Sequence, residues 1–156
     1  ASNSLEARFN VACEGLLGYE LDLTKLSEEE RAEIASQISF YKENRKLLQF
    51  GDHYRLQGKN TAGFITVSKD RNAAIAVVNL LEWHPGDPAP CIRLKGLNPA
   101  ANYEVSVRGS EWVRCIGGDV LMQADIPLPG LFDFEAAKRW SGGIMSRMYI
   151  LRRQRS

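Results

Sequence analysis

Histidines, cysteines, paired carboxylates and large aromatic rings are the residues of this chain from which a site could be built. There are two histidines, His53 and His84. His53 stands at the entry of an expected strand, and His84 lies in the turn Trp83-His84-Pro85-Gly86. A Ser-His-Asp or Cys-His relay needs a histidine beside a nucleophile and an orienting carboxylate, and neither local sequence supplies that set. The three cysteines, Cys13, Cys91 and Cys115, are widely spaced and form no Cys-x-x-Cys pair. Neither a zinc ribbon nor a thioredoxin-type centre is indicated, and the plain reading is buried, reduced thiols in a cytoplasmic protein. No dinucleotide-type or P-loop glycine pattern occurs. Gly117-Gly118-Asp119 and Ser141-Gly142-Gly143 lie among expected β elements and read as turns. No catalytic residue, metal ligand or cofactor is assigned.

Glu20 and Asp22 fall on the same side of an extended segment. To act as a general acid/base pair they would need burial that separates their pKa values; polar residues at a strand's rim are the simpler reading. The aromatic residues offer a different chemistry. Trp83, Trp112 and Trp140, with Tyr54 and Tyr103, could stack on the apolar C–H face of a pyranose. Tryptophan is more often packed into a core or an interface. The three tryptophans are therefore candidate substrate-stacking residues whose exposure decides the matter.

The elements that would position these residues change character along the chain. Leu5 to Cys13 carries apolar residues at helical spacing and meets Gly15, so a short helix is expected. Leu16 to Leu23 reads as an extended segment. Ser27-Glu28-Glu29-Glu30 is a capping box, with acidic residues at the positive end of the helix dipole. Ile34, Ile38, Tyr41, Arg45 and Leu48 follow on one predicted face, and Gly51 stops the helix. After Gly51 the period becomes that of strands: His53–Leu56, Gly63–Val67, Ala73–Val78, Cys91–Leu94, Tyr103–Val107, Trp112–Ile116 and Ile144–Leu151, separated by turn formers. Short strands of this spacing indicate an antiparallel sandwich.

Composition narrows the partners. Hydrophobic residues make up 44% and charged residues 25% of the 156 residues, the balance of a folded domain. A formal net charge of +1 gives no reason to expect nucleic acid or an anionic membrane. Arg152, Arg153 and Arg155 read as a solvated basic tip. No apolar run is long enough to span a bilayer, and no signal-peptide pattern opens the sequence.

One stretch goes beyond generic patterning. Arg8-Phe9-Asn10-Val11-Ala12, Gly18-Tyr19-Glu20-Leu21-Asp22-Leu23-Thr24-Lys25-Leu26-Ser27-Glu28-Glu29-Glu30, Ile38-Ser39-Phe40-Tyr41-Lys42 and Arg45 through Leu56 together closely resemble bacterial α-galactosidases of glycoside hydrolase family thirty-six. Ile92 to Leu97 continues the likeness, and Gly117-Gly118-Asp119-Val120-Leu121-Met122 is similar to a motif near the family's end.

The resemblance implies a mainly β chain: a C-terminal antiparallel β-sandwich preceded by the final helix-strand-helix of a (β/α)8 barrel. Residues 1–51 would be the barrel segment and residues 52–156 the sandwich. The family's retaining mechanism uses two aspartates at the ends of earlier barrel strands. Their Lys-Trp-Asp-type and Gly-Gly-Arg-Asp-type motifs have no counterpart here, so neither Asp22 nor Asp52 inherits a catalytic role. The expectation is a C-terminal fragment of a metal-independent enzyme that hydrolyses α-galactoside oligosaccharides such as melibiose or raffinose. By itself it would be inactive and structural. An unpaired barrel strand would leave open edges, so a homo-oligomer is expected. The alternative is a non-catalytic carbohydrate-binding or oligomerisation module.

Overall fold

The computed structural model describes residues 5–14, 22–84, 86–125 and 145–155. The segment expected to form the last barrel strand, Leu16 to Leu21, lies outside the described residues, as does Trp140. Helix α1 spans Leu5–Ala12 and α2 spans Glu28–Phe50. Six strands follow: β1 (Asp52–Gly58), β2 (Thr61–Val67), β3 (Ala73–Leu80), β4 (Asn102–Val107), β5 (Val113–Gly117) and β6 (Met145–Arg153), with α3 (Gly118–Gln123) after β5.

The capping box is present as read. The Ser27 hydroxyl accepts from Glu30 N–H (3.2 Å), and the Glu30 carboxylate accepts from Ser27 N–H (2.8 Å). At the other end Gly51 N–H donates to the Leu47 carbonyl (2.9 Å). The buried face of α2 differs from the expected one. Ile34, Gln37, Tyr41 and Leu48 are buried, Ile38 is only half-buried, and Arg45 is exposed. Gln37 fits the interior because its amide donates to Glu33 (2.8 Å) one turn earlier, which keeps a buried polar group satisfied.

The strands form one antiparallel sheet in the order β1-β2-β3-β6-β4-β5. The mainly antiparallel architecture therefore holds. The layer opposite the sheet is where the structure departs from the strand count. Cys91–Leu94 contributes a single bridge residue, Cys91, and then crosses the sheet's inner face as an extended segment. Its bonds explain this. Thr61 Oγ1 donates to the Cys91 carbonyl (3.1 Å), Lys95 Nζ donates to the Arg55 carbonyl in β1 (2.9 Å), and Leu94 N–H donates to the Leu121 carbonyl in α3 (2.9 Å). The segment thus spans from one edge strand to the helix that follows the other, and its donors and acceptor bond to three different elements instead of one ladder.

Two cores lie on opposite faces of the sheet. Leu56, Ile65, Val67, Ala74, Ala76, Val78, Tyr149 and Leu151 face the crossing segment, which adds Ile92, Leu94 and Leu97. Phe64, Ile75, Val77 and Met148 face the helices, which contribute Phe9, Cys13, Tyr41 and Leu48. Covering both faces accounts for the unbroken apolar run Ala73–Val78, since a strand buried on both sides need not alternate. Tyr103 pins the β2–β3 turn from below: its hydroxyl donates to the Arg71 carbonyl (2.7 Å) and accepts from Asn98 N–H (3.0 Å).

Close backbone approach fixes two glycines. A Cβ on Gly63 would stand 1.8 Å from the Val77 carbonyl oxygen, and one on Gly118 would stand 2.1 Å from the Asn98 carbonyl oxygen. Both obstacles are main chain and cannot swing aside. Gly118 belongs to the Gly-Gly-Asp motif, which joins β5 to α3 instead of forming a free turn. Gly63→Ala is expected to lower the unfolding free energy by about 1–3 kcal/mol, the range of an overpacked interior. Urea unfolding followed by circular dichroism reads the change, and an unaltered midpoint would contradict the close approach.

Candidate functional site

A histidine relay does exist, in a place the local sequence did not indicate. His53 Nδ1 lies 3.0 Å from Thr66 Oγ1 and Nε2 lies 3.3 Å from Glu14 Oε1, while its ring stacks on Phe64 at 5.1 Å. The order carboxylate, imidazole, hydroxyl is that of an acyl-transfer triad. Thr66, however, is only 1% exposed. A nucleophile sealed between sheet and helices meets no substrate, so the relay serves to join the end of α1 to β1 and β2.

His84 is exposed and flanked by Glu82 (3.3 Å) and Asp87 (3.6 Å). Among the described residues no group of three or more His, Cys, Asp or Glu side chains is arranged to hold a metal ion. The cysteines correct one expectation. All three are free, but only Cys13 is buried; Cys91 is half-buried and Cys115 is exposed on the edge strand β5. Burial pushes the Cys13 thiol up to about 12, against a smaller opposing pull from Arg108. Cys115 Sγ contacts Gln154 Oε1 (3.3 Å).

The candidate stacking residues have different environments. Trp112 is half-buried and Arg114 lies over its ring at 5.7 Å, which occupies a face a sugar would need. Trp83 is half-buried too, packs part of its ring on the main core, and lines a hollow of about 220 Å³. Glu20 lies outside the described residues. Asp22 caps the short 3-10 turn Leu23–Lys25, and the Thr24 hydroxyl (2.6 Å) and N–H (3.1 Å) hold its carboxyl below the usual range. It is an exposed cap of that turn; the extended segment whose rim it was expected to mark lies outside the described residues.

The residue that sequence reasoning missed is Arg108. It follows β4, and its guanidinium lies 5.1 Å from the Phe9 ring centre in α1 and 5.4 Å from that of Phe40 in α2. These two rings meet edge to face at 6.1 Å. The same guanidinium donates to Ser36 Oγ (3.3 Å) and pairs with Glu33 (3.6 Å), with its side chain 15% exposed. One cation thus fastens both helices to the sheet. A second tie of α1 to the sheet is Asn10, fully buried, which donates to Ser146 in β6 (2.9 Å). A strand-end arginine before a glycine carries no pattern that announces such a partner, because Phe9 and Phe40 come from distant segments.

The described residues define an antiparallel β domain carrying a helical segment on one face. Residues 1–51 match the family model named Melibiase, and residues 61–151 match that of the glycosyl hydrolase family 36 C-terminal domain. The chain belongs to glycosyl hydrolase family 36. It is 40% identical over 129 residues to the α-galactosidase AgaA of Geobacillus stearothermophilus, an alignment covering 81% of this chain and 17% of that protein. Among solved structures, AgaB from the same organism superposes with a TM-score of 0.83 at 38% identity, over 99% of this chain and 20% of that one. A variant of AgaA in complex with raffinose superposes equally well, at 0.83 and 35% identity, over 99% and 20% respectively. The chain thus spans about a fifth or less of these relatives and corresponds to their C-terminal part.

Replacing Arg108 by Met keeps most of the apolar stem and removes the charge. The expected cost is about 1–3 kcal/mol, from a partly desolvated cation–π pair and its charged hydrogen bonds. Arg114→Met, where an exposed arginine lies over Trp112, should stay within about 0.5 kcal/mol of the parent chain. Equal losses in the two variants by chemical denaturation would contradict the assigned role of Arg108.

Proposed function

We propose that the chain serves as the C-terminal part of an α-galactosidase that cleaves terminal α-galactosyl groups from oligosaccharides of the raffinose and melibiose type. Residues 1–51 would complete the catalytic barrel, and residues 52–156 would form the β domain that braces it. The observation that carries this reading is the order of the two family matches, a barrel family first and the family 36 C-terminal domain after it. The raffinose complex of a relative supports the substrate class.

On this reading the two catalytic carboxylates of the retaining mechanism come from barrel strands outside these residues, and the chain's own task is mechanical. Helix α2, capped at both ends, is held to the sheet by Arg108 and by the core around Ile75 and Met148. The sheet in turn fixes the barrel segment from outside. A reducing compartment, the cytoplasm, is the placement we propose, supported by three cysteines that are all unpaired. No helix of the described residues is long and apolar enough to cross a membrane.

Two assays test the proposal together. The purified chain should show no turnover of a chromogenic α-galactoside. A chimera in which this chain replaces the matching C-terminal part of Geobacillus AgaA should retain raffinose hydrolysis to within about tenfold, a barrier change near 1.4 kcal/mol. Turnover by the chain alone that survives repurification, or a folded chimera without activity, would overturn it.

A further inference from the structure

The edges of the sheet, β1 on one side and β5 on the other, are not equivalent. Main-chain bonds fix which groups of β5 face outward. Gly118 N–H donates to the Ala101 carbonyl (2.8 Å), in the same register that sets Ile116 opposite Tyr103 and Arg114 opposite Val105. Ladder bonds of an antiparallel pair come from every second residue, so Ile116 and Arg114 bond to β4. Val113, Cys115 and Gly117 therefore turn their main-chain N–H groups away from the sheet. Among the described residues none of these groups meets a partner. The side chains beside them are open too: Val113 is 52% exposed, and Cys115 is exposed.

The opposite edge is guarded. Arg55 sits at the middle of β1, and Lys95 Nζ donates to its carbonyl (2.9 Å). A lysine on an edge blocks further strand pairing. The open groups of β5, in contrast, are symmetric about Cys115, the central residue of the strand. A second β5 laid alongside about a two-fold axis at Cys115 sets Cys115 opposite Cys115, Val113 opposite Gly117 and Arg114 opposite Ile116. Each Cys115 N–H then meets the Cys115 carbonyl of the other copy, and each Gly117 N–H meets its Val113 carbonyl. No like charges stand directly opposite within the strand pair. The apolar Val113 side chains join Cys115 on one face, and a net charge of +1 per chain gives little repulsion between copies.

We propose that β5 is an interface for a second copy of this chain, joining two six-stranded sheets antiparallel about an axis at Cys115. Because β1 is guarded, the association closes at a dimer instead of growing into a filament. The homo-oligomer expected from an unpaired barrel strand is thereby assigned to a different edge. Strands of five residues make a small contact, below the roughly 1,000 Å² of a stable interface, so the dimer is weak and reversible.

The test is sedimentation of the reduced chain between about 10 μM and about 1 mM, where a monomer–dimer equilibrium with Kd on the order of 100 μM is expected. Cys115→Lys sets like charges directly opposite at an exposed position and should weaken the dimer at least about tenfold, while Cys115→Ser leaves it unchanged. Hydrogen exchange on the unaltered chain gives an independent reading should Cys115→Lys fail to fold. The Cys115 and Gly117 amides should gain protection as concentration rises, whereas those of Arg114 and Ile116 are protected throughout. A monomer at every concentration, a dimer indifferent to Cys115→Lys, or Cys115 and Gly117 amides whose exchange ignores concentration would each overturn the proposal. A dimer abolished by Phe50→Ser and kept by Cys115→Lys would place the contact at the exposed end of α2 and overturn it as well.

Discussion

Ile75 and Val77 point into one core while Ala74, Ala76 and Val78, their neighbours in β3, point into another. A strand buried on both faces needs a layer on each side. Here the crossing segment and α3 cover one face, and α1 and α2 cover the other. Stripping the helices from the sheet would expose Phe64, Ile75, Val77 and Met148 to water, at about 1.5–3 kcal/mol for each large apolar side chain. The two parts of the sequence are therefore not independent in folding, although a family boundary falls between them. Arg108 adds a directional element to this burial. A greasy face tolerates sliding, whereas a guanidinium held between two phenyl rings, a serine and a glutamate fixes where the helices sit.

Fixing the helices is how this chain contributes to function on the reading proposed here. Catalytic carboxylates of a barrel enzyme must be held within a fraction of an ångström of productive geometry. Supporting elements earn their place by being rigid, and α2 has the features of a rigid element: a reciprocal cap at Ser27 and Glu30, a terminating bond at Gly51, and a buried face tied to two strands. The pairing of exposed His53 with buried Thr66 fits the same logic. Its groups have the order of a relay but are spent on joining the end of α1 to the sheet, so the chemistry that matters is hydrogen-bond satisfaction and not proton transfer.

Much of this was legible in the sequence where signals are local. The capping box, Gly51 and the spacing of apolar residues placed α2, and turn formers placed six of the seven expected strands in the described residues or overlapping them. The seventh, Cys91–Leu94, has strand-like alternation, yet its hydrogen bonds go to β1, the β1–β2 corner and α3, partners that only tertiary structure reveals. Gln37 shows the same limit: it displaces Ile38 from the buried face because Glu33 satisfies its amide, a compensation invisible to hydrophobic periodicity. The site residues were the least legible. Nothing in the run Val107-Arg108-Gly109 says that two phenylalanines from separate helices will close over the arginine, and nothing around Trp112 says that Arg114 will cover its ring.

The claim that helices and sheet form one cooperative body is open to a single direct measurement. Thermal unfolding is followed in parallel by the far-ultraviolet helical signal, which reports α1 and α2, and by tryptophan fluorescence, which reports the β domain. Shared burial and the Arg108 joint predict that both signals are lost at one midpoint, as in a two-state transition. Loss of the helical signal at a clearly lower temperature than the tryptophan signal would show that the sheet stands without its helical cover, and would contradict the account.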